Sequence, residues 1–176
     1  MSSFFIGVDV GSGSARAGVF DIYGRKVGEA KRNIQIFKPK ANFVEQSSDD
    51  IWQCVCMAVR DAVSQANIEP IQVKGVGFDA TCSLVVLDQQ GHPLTVSPTG
   101  RREQNIIMWM DHRAIAQADR INAGKHSVLA FVGNTISPRN ADTKVVVAER
   151  KYVIHLVKGW LFLRSARFSH LEGHWR

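Results

Sequence analysis

The chain has 176 residues and a net charge of +6, and 45% of its residues are hydrophobic. This length suffices for one domain with its own core, but it is short for a two-domain enzyme that closes over a substrate. The charge is uneven: residues 139–176 contain eight basic and three acidic residues, and residues 1–138 are close to neutral. This near-neutral charge argues against nucleic-acid binding by residues 1–138.

The three cysteines are an odd number without the spacing of a zinc site, which predicts a reducing compartment rather than a disulfide framework. Cys54 and Cys56 are two residues apart on a predicted helix, so they point to different faces and do not suit joint metal ligation. No signal-peptide pattern is present, and no apolar run approaches the ~20 residues that a membrane span needs. We therefore expect a cytoplasmic protein without a membrane partner.

Two apolar runs flank a Gly/Ser turn near the start of the chain, which predicts a β-hairpin over residues 4–21. The turn at residues 11–14 can offer backbone N–H groups without bulky side chains, as phosphate binding requires. Asp9 ends the first strand as a candidate Mg²⁺ ligand, and Arg16 adds a positive charge for phosphate oxygens. Because neither a Walker loop nor a dinucleotide fingerprint is present, an ordinary hairpin with a solvated turn stays the alternative.

The next segments predict a sheet followed by a helix that packs on it. A turn at Tyr23-Gly24-Arg25 leads to a third strand over Lys26 to Phe37, which completes an antiparallel meander. A helix begins at Ser47 or Ser48 and runs to about Ala66, because apolar residues, Trp52 among them, recur there every three or four positions.

Shorter elements fill the rest of the chain up to residue 123. We predict strands over residues 73–80, 84–88 and 106–109, a polar loop over residues 97–104, and a helix that opens at residues 110–113. Asp111 stands at the start of that helix, so an N-cap role competes there with a substrate role.

Four motifs occur in a fixed order along residues 3–138. They are the hairpin over residues 7–16, Glu45-Gln46 before the Trp52 helix, the strand end Gly75-Val76-Gly77-Phe78-Asp79-Ala80-Thr81, and Trp109-Met110-Asp111-His112-Arg113. Together they resemble the N-terminal domain of the FGGY family of carbohydrate kinases, with ribulokinase-like members the most similar. The resemblance implies an α/β fold of the ribonuclease-H-like, actin-like ATPase class, incomplete here, with a mixed sheet whose first three strands are antiparallel.

The resemblance also implies a reaction and a set of site residues. The family transfers the γ-phosphoryl group of Mg·ATP to a sugar hydroxyl, here of a pentulose or related polyol, which requires positioning and charge neutralisation. Asp9 would lie near Mg²⁺ as the metal ligand. The other residues would line the phosphate side (Gly11, Ser12, Ser14, Arg16) or face the sugar (Ala80, Thr81, Trp109, Asp111, His112). A sugar and ATP are then the expected partners, with no nucleic acid, and a homodimeric parent protein is one option.

Two parts of the family pattern have no counterpart in this sequence. In the family, the aspartate that takes the proton from the sugar hydroxyl lies further along the N-terminal domain, and the adenine site belongs to a C-terminal domain. We therefore expect a truncated half of a kinase, with no catalytic base present and no meaningful turnover alone. The alternative is a non-catalytic sugar- or nucleotide-binding module.

The resemblance stops after Pro138, and residues 139–176 can be decoded as family-like sequence in a shifted frame. In that frame Asn140-Ala141 permits Met, Lys144-Val145 forces Lys or Arg, and the decoded run continues in the family's style. We therefore expect a partial FGGY domain over residues 1–138 and an aberrant, frameshifted basic tail over residues 139–176. His170 and His174 lack a third ligand for a metal site.

The tail has two further possible origins. It could be a basic amphipathic segment for an acidic partner or a membrane surface, because Trp160, Leu161, Phe162, Leu163 and Phe168 are interspersed with arginines. It could equally be a genuine C-terminal helix that completes a small binding domain.

A frameshifted tail predicts a specific pattern of proteolysis. Out-of-frame side chains have not been selected to pack against residues 1–138, so the tail should be accessible to proteases. Trypsin should therefore cut at Arg150, Lys151 or Lys158 well before it cuts at Arg60 in the first helix. A time course of limited trypsin digestion, read by mass spectrometry, measures this order. Protection of the tail equal to that of Arg60 would show that the tail is docked and would favour the binding-module alternative.

Overall fold

The computed structural model describes residues 2–88, 90–124 and 126–140, residues 143, 144 and 147, and the backbone of residues 161–164. The chain divides into two compact units, although its length predicted one domain. In the described part, the first unit holds residues 2–35 and 48–81, and the second holds residues 36–47 and 82–164.

The described residues form eight strands and two α-helices, and no helix among them is long and apolar enough to cross a membrane. The strands are β1 (Phe4–Val10), β2 (Ser14–Asp21), β3 (Lys26–Asn33), β4 (Glu45–Gln46), β5 (Val73–Ala80), β6 (Leu84–Leu87), β7 (Ile106–Ile107) and β8 (Leu161–Arg164). The helices are α1 (Ser48–Gln65) and α2 (Ile115–Ala123), and short 3₁₀ turns occur at Pro70–Gln72 and Ser127–Val132.

The first unit is a four-stranded mixed sheet in the order β3-β2-β1-β5. Strands β1, β2 and β3 pair antiparallel, and β5 pairs parallel to β1. The predicted hairpin, meander and mixed sheet are thus confirmed. The third strand is shorter than predicted, because pairing with β2 ends at Asn33 and Phe37 forms an isolated bridge with Glu45 instead.

Helix α1 covers one face of this sheet, as its apolar period predicted. The core between them consists mainly of small and β-branched side chains: Ile6, Val8, Ala15, Ala17, Val19, Ile34, Cys54, Val55, Ala58 and Ala62. The contact with β3 requires a glycine, since a Cβ on Gly28 would lie 2.4 Å from the backbone oxygen of Ala62. Trp52 was predicted on the buried stripe, but it is 49% exposed.

The second unit is an antiparallel sheet in the order β4-β7-β6-β8. Its apolar core includes Leu84, Val86, Val96 and Ile107. Strand β8 lies in the segment predicted to be an aberrant tail, and it pairs with β6 from Leu84↔Arg164 to Leu87↔Leu161.

Two further residues of the predicted tail, Thr143 and Lys144, are buried in the second unit. Most of the tail, including the tryptic sites Arg150, Lys151 and Lys158 and the pair His170 and His174, lies outside the described residues. The domain boundary at residue 138 therefore stays a prediction.

A buried charge network ties together distant parts of the second unit. Arg113 Nη2 donates to Glu45 Oε1 and to Asp111 Oδ2, each at 2.8 Å, and all three side chains are at most 2% exposed. Arg113 Nη1 donates to the Val96 oxygen at 2.8 Å, and the guanidinium lies 4.0 Å from the centroid of the Phe43 ring. The second oxygen of Glu45, Oε2, is buried without a hydrogen-bond partner among the described residues. Arg113 is thus the cation that makes two buried carboxylates tolerable.

Helix α2 begins later than predicted. We expected it to open at residues 110–113 with Asp111 near its N-cap, but it begins at Ile115 and its N-cap is Ala114. Asp111 instead accepts the Arg113 backbone N–H at Oδ1 (2.9 Å) and the Val44 N–H at Oδ2 (2.7 Å). The carboxylate that could have capped the helix is committed to the buried network.

The network predicts a large loss of stability when its cation is removed. Arg113→Met should lower the free energy of unfolding by about 3–5 kcal/mol, because Glu45 and Asp111 stay buried without their counter-charge. Denaturant unfolding of the 176-residue chain, followed by circular dichroism, measures the change.

Arg32→Met is the matched control, since Arg32 pairs with Asp61 on the surface with both side chains more than 40% exposed. It should cost about 1 kcal/mol or less. Equal losses in the two variants would contradict the importance given to the buried network.

Candidate functional site

Three charged residues stand side by side on adjacent strands of the first unit. Asp9 on β1 is in register with Arg16 on β2 and with Asp79 on β5. Residues in register on neighbouring strands project to the same face of a sheet. Arg16 Nη1 donates to Asp9 Oδ2 at 3.3 Å, with both side chains more than half exposed. The carboxyl ends of β1 and β5 therefore present an accessible row of two carboxylates and one guanidinium.

This row suits a magnesium ion bound together with phosphate. Mg²⁺ prefers oxygen ligands and is usually held by one or two carboxylates, with water and phosphate oxygens completing its shell. Asp9 and Asp79 are such a pair, and among the described residues no group of three or more His, Cys, Asp or Glu side chains forms a closed metal site. Asp79 was not predicted as a site residue, because its position beside Asp9 follows from parallel strand pairing that no local pattern encodes.

The predicted phosphate loop closes tightly on itself. Gly11 N donates to Ser14 O at 3.0 Å, and Gly13 O accepts the Ile34 N–H at 3.0 Å. A Cβ on Gly13 would meet no atom within 4 Å, so this side of the loop is open to a ligand. Of the two predicted serines, Ser12 is half-buried, whereas Ser14 is only 4% exposed and does not present its hydroxyl at the surface.

Ala80 and Thr81, predicted to face a sugar, adjoin this loop in the first unit. Thr81 N donates to Val10 O at 3.1 Å, which continues the β1–β5 pairing by one residue. Ala80 N donates to Oδ1 of Asp79 at 2.9 Å and so helps to orient that carboxylate. The other three predicted sugar-facing residues, Trp109, Asp111 and His112, belong to the second unit.

Trp109 and His112 are held through their backbones in one turn of the second unit. Trp109 N donates to Ser83 Oγ at 3.2 Å, its carbonyl accepts from Lys144 Nζ at 2.9 Å, and His112 N donates to Asn42 O at 3.0 Å. Both side chains are half-buried. Asp111 lies between them in sequence but is fully buried, with both oxygens bound to Arg113. In this conformation Asp111 orients the turn, and Trp109 and His112 form its accessible surface.

Arg139 selects the tautomer of the neutral His112 ring. Arg139 Nε donates to His112 Nε2 at 3.0 Å, and its guanidinium lies 6.0 Å from the centroid of the Trp109 ring. Because a guanidinium is always a donor, Nε2 must be the acceptor, so the proton of the neutral ring is on Nδ1. His112 can then donate Nδ1–H to a hydroxyl oxygen. Arg139 was not predicted as a site residue because it follows the last family-like motif.

Comparisons with known proteins identify the family of the chain. The model of the FGGY family of carbohydrate kinases, N-terminal domain, matches residues 4–162. A human FGGY carbohydrate kinase domain-containing protein is 48% identical over 134 residues, which are 76% of this chain and 24% of that protein. A D-ribulokinase of Saccharomyces cerevisiae is 43% identical over 138 residues, 77% of this chain and 19% of that protein.

The fold has counterparts among solved structures. A xylulose kinase from Lactobacillus acidophilus superimposes with a TM-score of 0.75 at 16% identity, over 93% of this chain and 31% of that one. This likeness supports the predicted actin-like α/β class. The chain spans about a fifth to a quarter of the length of the human and yeast relatives. It belongs to the FGGY family of carbohydrate kinases and contains sequence of that family's N-terminal domain.

Proposed function

We propose that the complete protein phosphorylates a pentulose or a related polyol with Mg·ATP, and that this chain supplies part of its phosphate and sugar sites. One observation supports this most: the register of Arg16, Asp9 and Asp79 beside an open Gly/Ser loop. We propose a pentulose as the sugar because the D-ribulokinase of S. cerevisiae is among the similar relatives.

The residues of the hairpin and Asp79 of β5 have complementary tasks in this proposal. Ser12 and Gly13 of the loop and Arg16 would hold phosphate oxygens, and Asp9 with Asp79 would hold the magnesium ion, which would neutralise charge on the transferred phosphoryl group. Binding phosphate would draw the Arg16 guanidinium away from Asp9 Oδ2, which frees that oxygen for the metal. This exchange is available because the Asp9–Arg16 pair is exposed and costs little to open.

The turn around Trp109 has the composition of a sugar-binding surface. An aromatic face packs against the C–H groups of a sugar, and a few fixed polar groups bind its hydroxyls. Trp109 offers the face, and His112 offers a donor at Nδ1. We expect the 176-residue chain to bind these ligands weakly and without turnover.

We also propose that the protein is cytoplasmic, because its three cysteines lack the pattern of a disulfide framework.

The phosphate site predicts where a paramagnetic ion will bind. Mn²⁺·ATP, with Mn²⁺ replacing Mg²⁺, should broaden the NMR amide signals of Gly11, Ser12 and Gly13 before those of Gly28 and Glu29, at the far end of β3. Asp9→Asn should weaken this effect about tenfold or more, the equivalent of ~1.4 kcal/mol or more. The measurement is a titration of the ¹⁵N-labelled chain.

Asp61→Asn is the matched control for Asp9→Asn, because Asp61 is also an exposed carboxylate paired with an arginine. It should leave the broadening unchanged. Broadening that is equally sensitive to both substitutions, or that is absent from residues 11–13, would refute the phosphate site.

The sugar site predicts a selective effect on one indole. D-Ribulose should shift the Trp109 indole N–H signal, and Trp109→Phe should abolish saturation-transfer signals between the chain and the sugar, because the stacking face is reduced. Trp52→Phe, which changes an exposed indole on α1, should leave those signals intact. A sugar response that survives in Trp109→Phe would place the sugar elsewhere.

A further inference from the structure

Lys144 is a buried lysine whose ammonium group binds the backbone of the Trp109 turn. Its side chain is 1% exposed, and Nζ donates to Met108 O at 2.7 Å and to Trp109 O at 2.9 Å. Met108 O also accepts the Asp111 N–H at 3.0 Å. Lysines are almost never fully buried unless their charge is satisfied, so these two carbonyls are the groups that make this position tenable.

The charges around Lys144 connect it to the buried network. Burial lowers the pKa of Lys144 from 10.5 to about 8, partly opposed by the negative charge of Asp111 and by Cys82, while Arg113 and Arg139 lower it further. The group is therefore an ammonium at pH 7 and a neutral amine above about pH 9. As an ammonium it adds a positive charge near the Asp111 carboxylate, which Arg113 also binds.

The basic character of this position does not depend on the reading frame of the tail. The codons of Lys144 and Val145 encode Lys in one frame and Lys or Arg in the shifted one. A Lys or an Arg is thus encoded at this point in both frames.

We infer that Lys144 is a positioning residue: it clamps the carbonyls of Met108 and Trp109 and so fixes the turn that presents Trp109 and His112. Only the identity of the ligand bound by this turn rests on the proposed function. The clamp itself is a property of the chain, so it can be tested without sugar or ATP.

The first test is amide hydrogen exchange at pH 7 on the full 176-residue chain. Lys144→Met removes two charge-assisted hydrogen bonds, so the Asp111 amide should exchange about tenfold faster or more. Lys144→Arg keeps a donor and should preserve most of the protection. Lys74→Met, which removes an exposed lysine that donates to Ile71 O at 3.0 Å, should have no effect on Asp111. Unchanged exchange in folded Lys144→Met would overturn the inference.

The second test remains decisive even where Lys144→Met does not fold. With ¹³C-labelled methionine methyl and lysine Cε groups, the signals of Met108 and Lys144 should titrate together with a midpoint near pH 8. Lys144→Arg should abolish the Met108 transition, because a guanidinium does not titrate in this range, and exposed Met57 should show no such transition. A Met108 signal that is flat in the wild-type chain, or that still titrates in Lys144→Arg, would show that Lys144 does not control the turn.

Discussion

The second unit depends on the positive charge of Arg113 between two buried carboxylates. Glu45 belongs to a short strand and Asp111 to a turn, and the guanidinium joins them while also binding the carbonyl of Val96. A buried carboxylate is tolerable only when it is paired and hydrogen-bonded. The position of the Trp109–His112 turn is therefore set by electrostatics in the core rather than by the propensity of its own residues, and Lys144 extends the same constraint through the backbone.

In the first unit the corresponding constraint is strand register. Parallel pairing of β1 with β5 sets Asp79 beside Asp9, and antiparallel pairing of β1 with β2 sets Arg16 on its other side. Helix α1 packs tightly on the opposite face of the sheet, where Gly28 of β3 provides the space. A fixed sheet thus brings together charges that would repel or be solvated in an unfolded chain, as a phosphate and metal site requires.

Local patterns in the sequence predicted the hairpin, α1, β5 and β6, because periodicity and turn residues determine such elements. They did not predict the start of α2. Arg113 binds Glu45, which is 68 residues away in sequence, and Asp111 joins this buried network instead of capping the helix. The burial of Ser14, the pairing of Asp79 with Asp9 and the roles of Arg139 and Lys144 likewise follow from long-range packing. Ordered motifs indicated the family and its residues, but only the three-dimensional arrangement separates accessible side chains from those that support them.

We propose that residues 1–138 contain working parts of an FGGY kinase site. A chimera tests it most directly, with these residues joined to the remainder of the similar D-ribulokinase of S. cerevisiae and ADP release measured with D-ribulose. We predict sugar-dependent turnover that Asp9→Asn reduces to background and Asp61→Asn leaves unchanged. A folded chimera without turnover, or one whose turnover is indifferent to Asp9→Asn, would contradict the claim.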